Sequence, residues 1–454
     1  MYHGPEDSSF FQPDAPAARP SLRVGLLGIG TVGAGTFRVL RRNRHEIAGR
    51  AGRPIEVTMV AARNLARAAD VVGEGVALVD DPMAVVNHPD IDVVVEAVGG
   101  TTAARDWVLQ AIAQGKHVVT ANKALLAVHG SEIFAAAQAQ GVSVAFEGAV
   151  AVSIPIIKAL REGLGANRIE WVAGIINGTT NFILSEMRAK GLAFEQVLQE
   201  AQRLGYAEAD PSFDVEGVDA AHKASLLAAI AFGTSVQFER AHIEGITGLQ
   251  AEDIAWAEAL GYRVKLLGVV KRREQGIELR VHPTLLPEQH LLAQVNGSMN
   301  GIMVQGDACG PTLYYGAGAG SEQTASAVIA DLIDVSRLAD GRPEQRVPHL
   351  GFRPEALREL PVLPMAETRT RYYLRLPLAN TPSALAEVSA VLETAGIGLQ
   401  TLQKKADPAR PERQQLVLLT QECRERDLRQ ALTRIEALAS VLGAATLLRV
   451  ENLE

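Results

Sequence analysis

From residue 22 onwards, the chain alternates short, uninterrupted apolar runs with longer segments whose apolar residues recur at helical spacing. The runs include LRVGLLG, IEVTMVAA, IDVVVEAVGG and KHVVTAN. Strands without a polar residue at every second position are covered on both faces, and strands that alternate with helices form parallel sheets. The pattern therefore predicts an α/β fold whose first unit, over residues 21–150, is a doubly wound parallel sheet.

The first strand leads into a GxGxxG motif, formed by Gly28, Gly30 and Gly33 in the stretch GLLGIGTVGAG. Between a strand and a helix, these glycines allow a tight turn, the approach of a pyrophosphate and close helix packing. The free N–H groups at the helix start would bind the phosphates. The motif favours a Rossmann-type NAD(P)-binding domain, completed by a helix at about 322–340, over a purely structural turn.

The residues after the second strand bear on the choice of cofactor. NAD enzymes usually place an acid there, whereas this chain has Arg63 and Arg67 and no acid until Asp70. Arginines suit the 2′-phosphate of NADP. The sequence therefore favours NADP, with NAD as the second choice, unless these arginines only solvate a loop.

Two further units follow the nucleotide-binding domain. Residues 151–321 mix strand and helix patterns and predict an α+β mixed-sheet domain for substrate binding, catalysis and dimerisation. A proline-rich linker covers 341–369, and residues 370–454 show the βαββαβ order of a ferredoxin-like unit. We expect that unit to serve regulation or assembly. Residues 1–20 contain four prolines and are predicted to be a disordered arm rather than a signal peptide.

Composition argues against several classes of protein. A net charge of -8 argues against nucleic acid or an anionic membrane as a partner. Two cysteines without a CxxC pair offer neither a disulfide framework nor a zinc site, which fits a reducing compartment. The chain contains no apolar run of about 18 residues that would span a bilayer. We therefore predict a cytoplasmic protein.

The segment VDAAHKASLLAAIAFG is apolar over most of its length, which predicts a buried helix, yet it holds Asp219, His222 and Lys223. Asp219 and Lys223 lie at i and i+4, on one helix face, where each partly neutralises the other. Burial lowers the pKa of a lysine and a neighbouring carboxylate raises it. A lysine balanced in this way can exchange a proton with a substrate hydroxyl, as oxidation of an alcohol requires. The alternative is a structural ion pair.

Three other segments place polar groups where a ligand of such a fold binds. The acidic stretch GYAEADPSFDVEGVD contains Glu208 and Asp214 and fits the capture of an ammonium group. The stretch INGTTNF places Asn177 and Thr179 before a helix, where they can cap the helix or meet a carboxylate. VVTANKALLA ends a strand with Lys123, which we expect to face the cofactor or to form a surface salt bridge.

Together these segments resemble the homoserine dehydrogenase family, in its monofunctional form with a C-terminal ACT domain. The resemblance spans residues 22–450 and is carried by GIINGTTNFILSEM followed by GYAEADPSFDVEGVDAAHK. It implies the reversible NAD(P)-dependent reduction of L-aspartate 4-semialdehyde to L-homoserine, in threonine and methionine biosynthesis. Two alternatives stay open, namely an ACT-bearing nucleotide and amino-acid sensor without turnover, and a dehydrogenase of another amino alcohol.

The resemblance also implies roles for individual residues. Lys223 would exchange the proton, Asp219 would adjust it, and Lys123 would lie beside the nicotinamide. The implied substrate residues are Glu208, Asp214, Asn177, Thr179 and Lys123. The implied cofactor residues are Gly28, Ile29, Gly30, Thr31, Val32, Gly33, Arg63, Gly99, Lys123, Gly205 and Gly318. A monovalent cation, sodium, would be held by Glu147, Val150, Val152 and Ile154.

The chain departs from the family's pattern in three places. The hinge EGAVAVSIP has Val152 and Ser153 where relatives usually have glycines. In the glycine-rich loop GAGAGSEQTA, Ala317 and Gln323 stand where prolines are common. In the C-terminal unit, NTPSALA replaces the usual effector loop, and Asn380 and Ser383 are the altered positions. The family implies an amino-acid effector at the ACT domain and a homodimer or homotetramer.

Overall fold

The structure, a computed structural model, describes residues 20–339, 341–406 and 410–453. The predicted arm lies outside these residues except for Pro20. The strands of the first unit are β1 (Leu22–Leu27), β2 (Ile55–Ala61), β3 (Ala77–Val79), β4 (Val93–Glu96), β5 (His117–Thr120) and β6 (Val144–Ala145). Its helices are α1 (Thr31–Arg42), α2 (Arg44–Ala51), α3 (Leu65–Val72), α4 (Pro82–Val86), α5 (Ala103–Ala113) and α6 (Lys123–Gln140).

The first unit is a parallel sheet with the strand order β3-β2-β1-β4-β5-β6. The order reverses between β1 and β4, and the loops after β1, β4, β5 and β6 all leave the same edge of the sheet. Ligands of such sheets bind at that edge, beside the reversal. The central strands β1, β4 and β5 are buried on both faces, as their uninterrupted apolar runs predict, and the predicted doubly wound parallel sheet is confirmed.

The middle of the chain supplies a second set of elements. Its strands are β7 (Ile169–Ile175), β8 (His242–Ile243), β9 (Tyr262–Arg273), β10 (Gly276–Pro287), β11 (Met299–Gly306) and β12 (Gly310–Ala317). Its helices are α7 (Ile156–Lys158), α8 (Gly178–Lys190), α9 (Phe194–Arg203), α10 (Ser212–Val215), α11 (Val218–Phe232), α12 (Ala251–Ala259) and α13 (Ser321–Leu338). A π-helical turn covers Ala159–Gly163, and short 3-10 turns cover Glu147–Ala149, Phe238–Arg240, Leu291–Gln294, Pro343–Gln345, Pro354–Ala356 and Met365–Glu367.

Helix α11 is the predicted apolar helix. It begins after Gly217 and ends at Gly233, both in the left-handed conformation, and between them its sequence contains neither glycine nor proline. It packs on β7, β9 and β10, and its residues from Asp219 to Phe232 are buried. Helix α13, whose bounds agree with the helix predicted at about 322–340, packs back on α1 of the first unit.

The last part of the chain has the element order of the predicted βαββαβ unit, with one extra short strand. The elements are β13 (Arg369–Ala379), α14 (Pro382–Thr394), β14 (Leu399–Ala406), β15 (Arg413–Thr420), β16 (Cys423–Arg424), α15 (Glu425–Glu436) and β17 (Thr446–Val450). Its strands pair antiparallel in the order β17-β13-β15-β14.

The middle and last parts share one mixed sheet, with the strand order β12-β11-β7-β9-β10-β17-β13-β15-β14. Strand β17 pairs parallel with β10, at Thr284 with Arg449 and Leu285 with Val450. The predicted mixed sheet is confirmed, but its continuation into the C-terminal strands was not predicted. None of the described helices is long and apolar enough to cross a membrane.

A buried ion cluster reinforces this junction. Arg449, on β17, is fully buried, with 0% of its side chain exposed. Its guanidinium binds both oxygens of Glu244 at 2.7 and 2.9 Å and also binds Glu425 at 2.7 Å. Glu244 belongs to the middle of the chain and Glu425 begins α15, so a single arginine links three elements.

Candidate active site

A cavity of about 600 Å³ lies between the first unit and the middle sheet. The first unit contributes the start of α1 and the loops after β5 and β6 to its wall. The middle sheet contributes the start of α8, the face of α11 and the residues that follow β12. The predicted residues that line it are Thr31, Val32, Lys123, Val152, Asn177, Thr179, Gly205, Glu208, Asp214, Asp219, Lys223 and Gly318.

Two lysines share one carboxylate at the bottom of the cavity. Lys223 Nζ lies 2.7 Å from Asp219 Oδ2, and Lys123 Nζ lies 3.1 Å from Asp219 Oδ1. Lys223 also donates to the carbonyl of Ile176 at 2.7 Å. Lys223 is buried, whereas 32% of the Lys123 side chain is exposed, because Lys123 begins α6 at the sheet edge.

Burial and neighbouring charges act against each other in this cluster, and the pKa values of both Lys223 and Asp219 are lowered. Burial lowers the pKa of Lys223, the charge of Asp219 opposes that effect, and the charge of Lys123 adds to it. Burial alone would raise the pKa of Asp219, but Lys223 and Lys123 lower it to about 2. Asp219 is therefore ionised at all physiological pH values, and Lys223 can lose its proton more easily than an exposed lysine.

Asn177 organises the carboxylates around Lys223. Its side-chain oxygen accepts the N–H of Thr180 at 2.8 Å and so caps α8. Its amide nitrogen donates to Asp214 at 2.7 Å and to Asp219 at 2.9 Å. Burial and the charge of Asp219 raise the pKa of Asp214. Both ends of the Asn177 amide are engaged by the protein itself.

Two predicted substrate residues lie nearer the mouth of the cavity. Glu208 is exposed and presents its carboxylate to solvent. Thr179, on the first turn of α8, donates to the carbonyl of Tyr206 at 2.8 Å. His222 turns away from the cluster and packs between Phe213 and Phe238, where burial lowers its pKa to about 4.

The glycine motif forms the turn from β1 into α1. Gly28 has φ +92°, and its N–H donates to the carbonyl of Ala61, at the end of β2, at 2.9 Å. A Cβ on Gly33 would overlap the carbonyl oxygen of Gly28, whereas a Cβ on Gly30 would meet nothing within 4 Å. The turn is closely packed at its base and open on the side where a dinucleotide would approach, while Ile29 is buried behind it.

Two predicted cofactor residues lie along the same edge, outside the wall of the cavity. Arg63 is exposed and follows Ala61, at the end of β2. Gly99 follows β4 and has φ +88°. The loops after β2 and β4 flank the loop after β1, so Arg63 lies on the far side of the glycine motif from Lys123, whereas Gly99 lies between the motif and Lys123.

Comparison with known proteins agrees with this geometry. The family model described as "Homoserine dehydrogenase, NAD binding domain" matches residues 28–147, and the model described as "Homoserine dehydrogenase" matches residues 155–333. A homoserine dehydrogenase of Pseudomonas aeruginosa is 55% identical over 432 residues, which cover 95% of this chain and 99% of the relative. The chain belongs to the homoserine dehydrogenase family.

Other members of the homoserine dehydrogenase family agree over the same length. One of Neisseria gonorrhoeae is 51% identical over 434 residues, again 95% of this chain and 99% of the relative. The crystal structure of a homoserine dehydrogenase from Thiobacillus denitrificans matches with a TM-score of 0.92 at 58% identity, and covers 96% of this chain and 100% of that chain. The predictions of the family, of homoserine dehydrogenase function, of an oxidoreductase and of an NAD(P)-binding domain are confirmed.

The hinge of this family member has an unusual backbone. Ala151 and Val152 have φ values of +29° and +45°, in the region that favours glycine. Val152 is β-branched, and such a residue at positive φ is a genuine outlier that costs on the order of 1–3 kcal/mol. Of the two positions where the family usually has glycine, Val152 therefore keeps a glycine-like backbone and Ser153 does not.

The residues predicted to hold sodium lie in this hinge. The two oxygens of Glu147 accept the N–H groups of Ile157 and Lys158, each at 2.9 Å, so its side chain caps α7. The carbonyls of Val150 and Ile154 accept N–H groups of Val152 and Ile156. These oxygens already accept hydrogen bonds from nearby backbone N–H groups. The cation therefore stays a prediction, and we derive no step from it.

Glu96 is a buried residue that sequence reasoning missed. One oxygen accepts the N–H groups of Val98 and Gly99, each at 2.8 Å, and the other accepts the hydroxyl of Thr120 at 2.8 Å. It thus fixes the loop after β4 to the end of β5. Its only signal in the sequence is an acid at the end of the apolar run VVVE.

Proposed function

We propose that the chain catalyses the reversible reduction of L-aspartate 4-semialdehyde to L-homoserine with NADPH, in threonine and methionine biosynthesis. The observation that carries the proposal is the buried Lys223, held by Asp219 in a cavity that reaches from the glycine motif to an acidic segment. A proton-exchanging group, a dinucleotide turn and an ammonium-binding wall are what this reaction requires of one site.

Lys223 exchanges the proton of the reacting oxygen in this proposal. In reduction, its ammonium gives a proton to the aldehyde oxygen, and in oxidation its neutral amine takes the proton from the hydroxyl of homoserine. Asp219 holds Lys223 in place through one oxygen. NADPH, when bound, supplies the hydride, and NADP accepts it in the reverse direction.

Lys123 contributes a second positive charge from the other side of Asp219. Its exposed ammonium can donate a hydrogen bond to the oxygen on which negative charge develops. The same charge opposes protonation of Lys223, because two ammonium groups share one carboxylate. Lys123 therefore favours both the oxyanion and the return of Lys223 to its basic form.

The acidic segment and the start of α8 bind the amino-acid part of the substrate. Glu208, at the mouth, and Asp214, half-buried behind it, attract the substrate ammonium. Thr179 contributes its backbone N–H, because its hydroxyl already donates to Tyr206, and the free N–H groups at the start of α8 face the carboxylate. We assign Asn177 to positioning Asp214 and Asp219, since the protein already engages its amide.

The cofactor lies along the edge of the parallel sheet. The residues from Gly28 to Gly33 would hold the pyrophosphate, and Gly99 would border the cofactor beyond them. Gly205 and Gly318 line the cavity next to the lysines. Arg63, exposed after β2, supports NADP, because an arginine there can bind a 2′-phosphate.

The C-terminal unit is proposed to be an ACT domain that binds an amino-acid effector. Its βαββαβ order supports this assignment. The loop from β13 to α14 carries Asn380, which donates to the carbonyl of Pro411 at 2.9 Å, and Ser383, which lies beside Thr381. We also propose a cytoplasmic homodimer or homotetramer, in which the exposed Tyr315 of edge strand β12 supports contact through the middle sheet.

The test is a coupled pair of assays with the purified protein. Consumption of NADPH is followed with aspartate semialdehyde, and formation of NADPH is followed with homoserine. Both assays are run with and without threonine. Both are then repeated with NADH or NAD in place of the phosphorylated nucleotide. A panel of other amino alcohols distinguishes the second dehydrogenase hypothesis. Binding of nucleotide and amino acid without turnover would overturn the proposal in favour of the sensor.

A further inference from the structure

Residues Ala317–Ser321, which we call the strap, connect β12 to α13 and cross the cavity. The strap is held at both ends. The hydroxyl of Ser153, in the hinge, donates to the carbonyl of Ala317 at 2.7 Å, and the hydroxyl of Ser321 donates to the carbonyl of Thr31 at 2.7 Å. It therefore joins the hinge to the turn that carries the glycine motif.

The middle of the strap lies directly on Asn300. A Cβ placed on Gly318 would overlap the side-chain nitrogen, carbon and oxygen of the Asn300 amide. Glycine is thus the residue that allows the strap to lie this close. The φ of Gly318 is not in the left-handed region, so close approach and not backbone conformation requires glycine here.

Asn300 is buried and has an unusual environment. Its exposed fraction is 0%, and neither its amide nitrogen nor its amide oxygen has a hydrogen-bond partner among the residues that the structure describes. A buried amide without partners is destabilising, and most such groups in proteins are paired. Strand β11 fixes the position of Asn300 opposite Gly316.

The Asn300 amide also lies between the start of α8 and the strap. Its oxygen lies 3.8 Å from the position of a Cβ on Gly178, the first residue of α8. On the other side it touches Gly318, which lines the cavity beside the cofactor edge. Gly318 and Ala319 make no hydrogen bond to the described part of the chain, so their N–H and carbonyl groups are free to pair.

We propose that Asn300 is a positioning residue that fastens the strap over the bound dinucleotide. A small movement of the strap brings a backbone N–H to the Asn300 oxygen and a backbone carbonyl to its nitrogen. The bound cofactor favours this movement because it packs under the strap. The inference rests on the proposed cofactor site, and no covalent step is involved.

The first test compares Asn300→Leu with Asn181→Leu. Asn181 is a buried asparagine whose amide donates to the carbonyls of Val295 and Met299 at 3.2 and 3.0 Å, so it is the matched control. In Asn300→Leu, we expect NADPH to dissociate about tenfold faster, with little change in its association rate. The melting temperature without cofactor should be unchanged or higher, because an unpaired polar group is removed. Asn181→Leu should melt lower and release NADPH at the wild-type rate.

A double-mutant cycle tests the contact itself. Gly318→Ala should weaken NADPH binding about tenfold in the wild-type background, because the added methyl overlaps the Asn300 amide. In Asn300→Ala, which makes room for that methyl, the same change should have less than a twofold effect. Stopped-flow fluorescence of NADPH and differential scanning calorimetry give the required rates and melting temperatures.

The outcomes separate the inference from the proposed function. If Asn300→Leu binds and releases NADPH as the wild type does, the inference is wrong. The proposed function would still stand in that case, provided that the wild-type protein turns over its substrates. If Asn300→Leu or Asn300→Ala melts as far below wild type as Asn181→Leu does, Asn300 is merely structural and the inference is again overturned. If Gly318→Ala weakens NADPH binding by the same factor in the wild-type and Asn300→Ala backgrounds, the inference is also contradicted.

Discussion

Replacing Asp219 by Asn removes the carboxylate that binds Lys123 and Lys223 while it keeps the size of the side chain. Two unit charges about 4 Å apart attract by about 4 kcal/mol at an effective dielectric constant of about 20. Loss of this attraction lowers the proton affinity of Lys223, so its pKa moves further down in Asp219→Asn. The sign is downward because the lost negative charge stabilised the ammonium form.

The change affects the two directions of the reaction differently. Oxidation of homoserine requires neutral Lys223, so in the wild type kcat/KM rises with pH, and in Asp219→Asn this rise begins at lower pH. Reduction of the aldehyde requires the ammonium, so we expect its rate at pH 8 to fall by about tenfold or more. Initial rates of NADPH formation and consumption between pH 6 and 10 measure both effects.

Asp210→Asn is the matched control for Asp219→Asn. Asp210 lies in the same acidic segment, but its carboxylate binds the N–H and hydroxyl of Ser212 and it is exposed. This variant loses the same charge and should keep the wild-type pH profile. An oxidation profile of Asp219→Asn that stays in place, or moves to higher pH, would refute the reasoning about Lys223.

Three further outcomes are expected. Lys223→Ala should lower kcat by about a thousandfold with little change in the Kd of NADPH, as general acid–base catalysis predicts, measured by steady-state rates and fluorescence titration. Arg63→Ala should raise the KM for NADP about tenfold and leave that for NAD nearly unchanged, because only NADP carries the 2′-phosphate. Arg449→Met should reduce the free energy of unfolding by about 3 kcal/mol in urea titrations, since the buried Glu425 would lose its buried partner and keep only the exposed Arg429.

The sequence predicted those features that depend on local geometry. Spacing i, i+4 places Asp219 and Lys223 on one face of any helix, and the structure has their charged atoms 2.7 Å apart. The parallel sheet followed from uninterrupted apolar runs, and the turn at Gly28 from a motif between a strand and a helix. In each case the physical cause lies within a few residues of the observed feature.

Features that depend on the packing of distant segments could not be predicted. The carboxylate of Glu96 accepts the hydroxyl of Thr120 only because β4 and β5 are neighbours. The amide of Asn300 lies under Gly318 because of the register of β11 and the path of the strap. Neither residue has an unusual neighbour in the sequence, so periodicity and spacing carry no signal for them.

The pairing of β10 with β17 makes the C-terminal unit part of the middle sheet rather than an attachment to it. Leu453, just beyond β17, is buried in the same apolar cluster as Trp171 and Leu267 of the middle strands. Removal of the chain after the linker would expose the edge of β10 at Thr284 and Leu285 and would uncover the part of this cluster that Leu453 contacts. Exposed edges recruit other strands. A shortened protein should therefore self-associate. A signal from the last unit should reach the active site as strain in the shared sheet, without dissociation of that unit from the rest of the protein.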